Sequence, residues 1–113
     1  MSGTLERIKA LIAEGELRIS EHGYDELAAD GLRVRDLVSA VSSAELLEDY
    51  PDFHKGPCVL ILEQNPDGSA VHAVWGIPKD EAGPAVLVTA YRPDPELWSA
   101  DFRHRKKHED ENP

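Results

Sequence analysis

The hydrophobic period of this chain changes once, near Ala44, and that change limits the folds open to it. Before it, apolar residues recur every three or four positions. Leu5, Ile8, Leu11 and Ile12 form one helical stripe, and Val34, Leu37, Val38 and Val41 form another. After it, apolar runs are short and bounded by Pro, Gly, Asn and Asp. Helices followed by consecutive strands with hairpin-length connections predict an α+β fold. Its N-terminal helices pack on a four-stranded antiparallel sheet.

The punctuation predicts the elements. Thr4 caps a first helix over about 4–14, which Gly15 stops. Residues 17–20 read as an extended connector. Ser20 caps a second helix over 21–30, and a third covers 34–42. Strands are expected over 45–50, 58–64, 70–77 and 85–91, with an Asp-Gly turn at Asp67-Gly68. In the third strand Val71, Ala73, Trp75 and Ile77 share one face, and His72 and Val74 the other, the outer one if the Trp75 face packs on the helices. In the fourth, alternation assigns Val86, Val88 and Ala90 to one face and Leu87, Thr89 and Tyr91 to the other. Both faces are apolar, so a central, doubly covered strand is expected. Pro93 and Pro95 end it. Asp94 as N-cap and Pro95 as first residue predict a short C-terminal helix, anchored by Trp98 and Phe102. Residues 1–105 form one domain in this reading, and 106–113 a disordered charged tail.

Charge narrows the partners. The chain carries 12 Lys and Arg against 22 Asp and Glu, a net charge of −10. An acidic body repels phosphate, which weighs against generic nucleic-acid binding and favours a basic partner or a small ligand. The single cysteine, Cys58, excludes an internal disulfide and reads as a buried thiol. No apolar run reaches the ~18 residues of a membrane span and no signal sequence opens the chain, so no membrane partner and a cytoplasmic location are expected. No motif calls for a cofactor or a metal. His104 and His108 have helical spacing but lie in a charged segment with no third ligand.

Six residues stand out as site candidates. His22 lies in the first turn of the second helix, where the positive helix end favours a neutral imidazole able to act as a base. Glu26, one turn on, can orient it. Arg92 leaves the last strand at a rigid turn and can hold a phosphate or carboxylate, with Tyr91 beside it. Alternatively, Arg92 is a latch pairing with a helix-two carboxylate, Asp94 or Asp101. His72 projects from the outer face of its strand, and Lys55 sits with Phe53 and His54 in the Pro51–Pro57 loop. The plain alternatives are a capped-helix surface histidine, a cross-strand histidine and an ordinary loop.

Several segments carry a resemblance: Ile19-Ser-Glu-His22, Gly31-Leu32, Glu48-Asp-Tyr-Pro51, Pro57-Cys-Val-Leu60, Val71-His-Ala-Val74 and Tyr91-Arg-Pro-Asp-Pro95. Over about residues 17–103 the chain resembles a small bacterial domain-of-unknown-function family, DUF4258. That family is similar in layout to the RelE-like fold of ribonuclease toxins. The resemblance implies the toxin-like half of a toxin–antitoxin pair, with a cognate antitoxin protein and RNA as partners. It also implies metal-independent RNA cleavage, with His22 as base, Arg92 stabilising the phosphorane and Tyr91 holding a base. The alternative is a non-enzymatic protein-interaction module of the same fold. One departure stands out. Family members commonly carry an Arg in helix two where this chain has Glu26.

Overall fold

A computed structural model of the chain describes residues 3–106. Three helices, α1 (Gly3–Ala13), α2 (Glu21–Ala29) and α3 (Val34–Ala40), cover one face of a five-stranded mixed sheet. The last turn expected of α3 tightens into a 3-10 turn over Val41–Ser43. The strands are β1 (Leu17–Ile19), β2 (Glu45–Tyr50), β3 (Cys58–Gln64), β4 (Ala70–Gly76) and β5 (Ala85–Tyr91), in the order β1-β5-β4-β3-β2. β2 to β5 are antiparallel, as expected. No helix among the described residues is long and apolar enough to cross a membrane.

The sheet differs from four antiparallel strands in one respect. Residues 17–19 are an edge strand that pairs in parallel with β5, Leu17 opposite Ala85 and Ile19 opposite Leu87. Ser20 extends this pairing by donating its N–H to the Leu87 carbonyl. A three-residue strand has too few positions to show a period of two. Its partner is also far along the chain, so no turn announces the pairing.

The inner face buries the core. Ile8, Leu27 and Leu37 from the helices meet Ile61, Trp75 and Leu87 from the sheet, and Trp75 is fully excluded from solvent. Strict alternation in β5 fails at one point. Val74 is opposite Thr89 but Trp75 is opposite Leu87, so Val88 is a bulge residue. Leu87 and Ala90 therefore both face the core, while Val86, Thr89 and Tyr91 share the outer face. α2 sits directly on this bulge. The side chain of Ser20 accepts from the Gly23 N–H and donates to the Val88 carbonyl. A Cβ on Gly23 would lie 2.9 Å from the Leu87 carbonyl oxygen. Only glycine lets the helix approach β5 so closely.

The expected C-terminal helix does not form. Asp94 does cap a turn, its carboxylate accepting from the Glu96 N–H and its carbonyl from the Leu97 and Trp98 N–H groups. The chain then leaves helical geometry. Ser99 N–H bonds the His104 carbonyl, and Trp98 bridges Arg105. Residues 94–106 thus form a strap lying on the outer face of the sheet, with Trp98 buried beneath it. The strap runs one residue past the expected domain end, since the Lys106 N–H donates to Leu97. The rest of the expected tail, and His108, lie outside the described residues.

Candidate functional site

The register aligns three rows of side chains across the outer face. One row runs Arg18, Val86, Gly76, Cys58, Tyr50. The next runs Thr89, Val74, Leu60, Glu48, and the third Tyr91, His72, Leu62, Glu45. The strap crosses the third row at His72 and Glu45 and reaches Glu48 of the second. It leaves the first row open, together with Val74 of the second.

Under the strap lies a polar cluster built around His72. The ring is fully buried and makes edge contacts with Trp98 and Tyr91, at centroid distances of 4.4 and 5.4 Å. Its Nε2 is 2.8 Å from the Phe102 carbonyl oxygen. A carbonyl can only accept, so Nε2 carries the proton and Nδ1 keeps its lone pair. Nδ1 faces the Tyr91 hydroxyl at 3.4 Å. Phe102 aims its carbonyl from a left-handed conformation, φ +62°, an uncommon one for a bulky residue. Ser99 and Asp101 bonds to the backbone of the same turn hold it there. Burial pushes the His72 pKa down, more than the Phe102 carbonyl and the nearby Glu48 raise it, so the ring is neutral near pH 7. Burial likewise pushes the Tyr91 hydroxyl up.

Glu48 and Arg105 complete the cluster. Arg105 donates from Nε and Nη2 to the two Glu48 carboxylate oxygens, at 2.9 and 3.2 Å, and its guanidinium lies 4.7 Å from the Trp98 ring centroid. The Tyr50 hydroxyl donates to the same carboxylate at 2.7 Å. The Arg105 bonds, with help from Tyr50, hold the Glu48 carboxyl below the usual range and keep it ionised. One neutral imidazole, two phenols, a carboxylate and a guanidinium thus share one patch of sheet. Such a set can move a proton and stabilise negative charge.

The expected catalytic trio is only partly assembled. His22 is exposed at the start of α2, whereas Arg92 is at that helix's end. The two ends are about 12 Å apart at the ~1.5 Å rise of a helix. The Arg92 N–H donates to the Asp30 carboxylate, its Nε to the Asp30 carbonyl and its Nη1 to Ser69 Oγ. That is a latch tying α2 to β5 and to the β3–β4 turn. Glu26 is half-buried on α2, on the other side of the sheet from His72. Tyr91 does reach a site, but with His72 as its partner. Lys55 lies beside the open row, near Phe53, whose ring centroid is 4.5 Å from that of His54 at a tilted interplanar angle of 47°. Cys58 was expected to be buried but is only half-buried and faces the outer groove. Burial, helped by Asp49, keeps it a thiol.

Reading by residue type missed Glu48, Tyr50 and Arg105. Glu48-Asp-Tyr50 places two polar groups on one strand face, and that alternation was the available signal. Arg105 gave none. Glu63 was also missed. It is 4% exposed on the inner face, neither carboxylate oxygen has a partner among the described residues, and burial pushes its pKa up to about 8.

Residues 19–92 match the family model described as Domain of unknown function (DUF4258). No curated protein and no solved structure matches the chain.

Proposed function

The chain belongs to the DUF4258 family, and from that premise we propose that it is a toxin-like, metal-independent ribonuclease whose site is the His72–Tyr91–Glu48–Arg105 cluster. The reading rests on one observation: an imidazole with its Nδ1 lone pair turned toward a tyrosine hydroxyl, beside an ion-paired guanidinium, on one sheet face. Tyr91 takes the proton of the RNA 2′-hydroxyl while passing its own to His72 Nδ1. The oxygen attacks the adjacent phosphorus as the P–O5′ bond breaks, leaving a 2′,3′-cyclic phosphate. His72 returns its proton through Tyr91 to the departing 5′-oxygen, and Arg105 stabilises the charge that develops on the phosphate. Glu48 holds Arg105 in place. Helices followed by antiparallel strands, the layout that the RelE-like resemblance implies, support the same reading.

A second reading has its own support. Each polar group of the cluster is partnered within the chain, and the net charge of −10 opposes RNA. Both facts suit a protein-interaction module that grips a basic partner such as an antitoxin. Purified protein incubated with single-stranded RNA in chelator separates the two. Under the catalytic reading RNA is cut, and Tyr91→Phe slows cutting about 100-fold, whereas His22→Ala and Arg92→Ala leave it unchanged. Expression in a bacterial host without the neighbouring gene also arrests growth. Intact RNA and normal growth with the unaltered protein would leave the interaction module.

A further inference from the structure

We infer that the open end of the outer sheet face is a nucleotide subsite, taking one base and its phosphate from a single strand of nucleic acid; this rests on the ribonuclease reading for its substrate. The first row of the sheet has a gap in the middle. Gly76 carries no side chain between Val86 and Cys58, and a hollow of about 370 Å³ opens over it. Val74, Val86 and Val88 make its floor apolar. Phe53, 44% exposed, offers an aromatic edge at the rim.

The rim is held in place. Gly56 has φ +124°, and a Cβ there would run into the Ile77 carbonyl and the Lys79 N–H. The Lys55 carbonyl accepts from Lys79, and the Pro57 carbonyl from Ile77. The loop carrying Phe53 and Lys55 is therefore pressed onto the end of β4.

Charge selects the occupant. Arg18 and Lys55 flank the hollow, and neither side chain has a hydrogen bond or ion pair among the described residues. Two unpaired cations beside an apolar floor, in a chain of net charge −10, make a local exception suited to an anion with a flat apolar body. An open groove with an aromatic rim suits a stacked base, and the cations suit its phosphate. Gly76 and His72 lie four residues apart on β4, about 13 Å. A single strand seated in the groove reaches the Tyr91 hydroxyl within a few nucleotides.

Binding is measured with a short single-stranded DNA oligonucleotide, which has no 2′-hydroxyl and cannot be cut by the proposed chemistry. Amide NMR shifts locate it and fluorescence anisotropy gives its affinity. Shifts are expected at Phe53, Lys55, Val74, Gly76 and Val86. The double variant Arg18→Glu, Lys55→Glu should lose at least about 10-fold in affinity, equivalent to ~1.4 kcal/mol, with an unchanged near-UV circular dichroism spectrum. Phe53→Ala should weaken binding several-fold. Shifts confined to other surfaces, equal affinity in the double variant, or binding of octanoate but not of the oligonucleotide would each overturn the subsite. The two proposals fail separately. Oligonucleotide binding at the groove without RNA cutting keeps the subsite and removes the catalysis. RNA cutting that the double variant leaves intact does the reverse.

Discussion

Glu63 shows how much one residue's surroundings can set. It follows Val59 and Ile61 on the core face of β3, where a water-exposed carboxylate could not be. Its pKa is raised from 4.5 to about 8, so it enters the folded state as the neutral acid. The sign follows from that. Below pH 4.5 folded and unfolded chains both hold the proton, and nothing is lost. Above it the unfolded chain ionises first, so stability falls as pH rises toward 8 and then levels off. Glu63→Leu should remove this slope, raising the unfolding free energy from urea melts at pH 8 more than at pH 5, by on the order of 3 kcal/mol. An identical pH dependence in the variant would rule out Glu63 as its source. His72 works in the opposite sense. Its pKa is lowered, so its contribution is complete above about 6.5 and is lost as pH falls through the folded value. Acidification below that pH should loosen the strap and shift Trp98 emission to the red.

Elements are joined here by a few polar fastenings. The Arg92 latch ties the end of α2 to β5 and to the β3–β4 turn, so Arg92→Ala should cost about 1–2 kcal/mol of stability without touching RNA cutting. A loss of cutting with stability intact would return Arg92 to the site. The strap is held by Trp98 and by two exposed ion pairs, Arg103–Glu45 and Arg105–Glu48. Solvent screens such pairs, so Arg105→Ala should cost no more than about 1 kcal/mol. Trp98→Ala removes a buried ring and should cost ~3 kcal/mol or more while exposing His72 to solvent exchange. Denaturant melts of both variants check the order. Gly23 sets how α2 meets the sheet, and Gly23→Ala should destabilise by about 2 kcal/mol through the clash with the Leu87 carbonyl. A melt unchanged from the wild type would show that α2 can shift at no cost.

At the scale of the whole molecule, the helices, the four antiparallel strands and the core face of β4 were legible in residue order. Each is a local period or a local cap: Val71, Ala73 and Trp75 alternate, and Ser20 precedes a helix. The bulge at Val88 was not legible, because it depends on which residue α2 presses against. The parallel pairing of β1 was not, because a three-residue strand shows no period. The strap was misread as a helix because Asp94 and Pro95 do start a turn. What stops that turn is the pull of the sheet on Trp98 and the bonds of Ser99 to His104, and neither is local. The site divides in the same way. Tyr91, His72 and Lys55 could be picked by type, but the partnership of His72 with Tyr91, Phe102 and Trp98 joins segments far apart in the chain. Sequence alone determined which groups share a face wherever the period is unbroken, as in β4, since backbone geometry fixes that within a few residues; the Val88 bulge shows where it did not. Only the tertiary structure decided which groups meet, because strand register and the path of the strap come from packing summed over the whole fold.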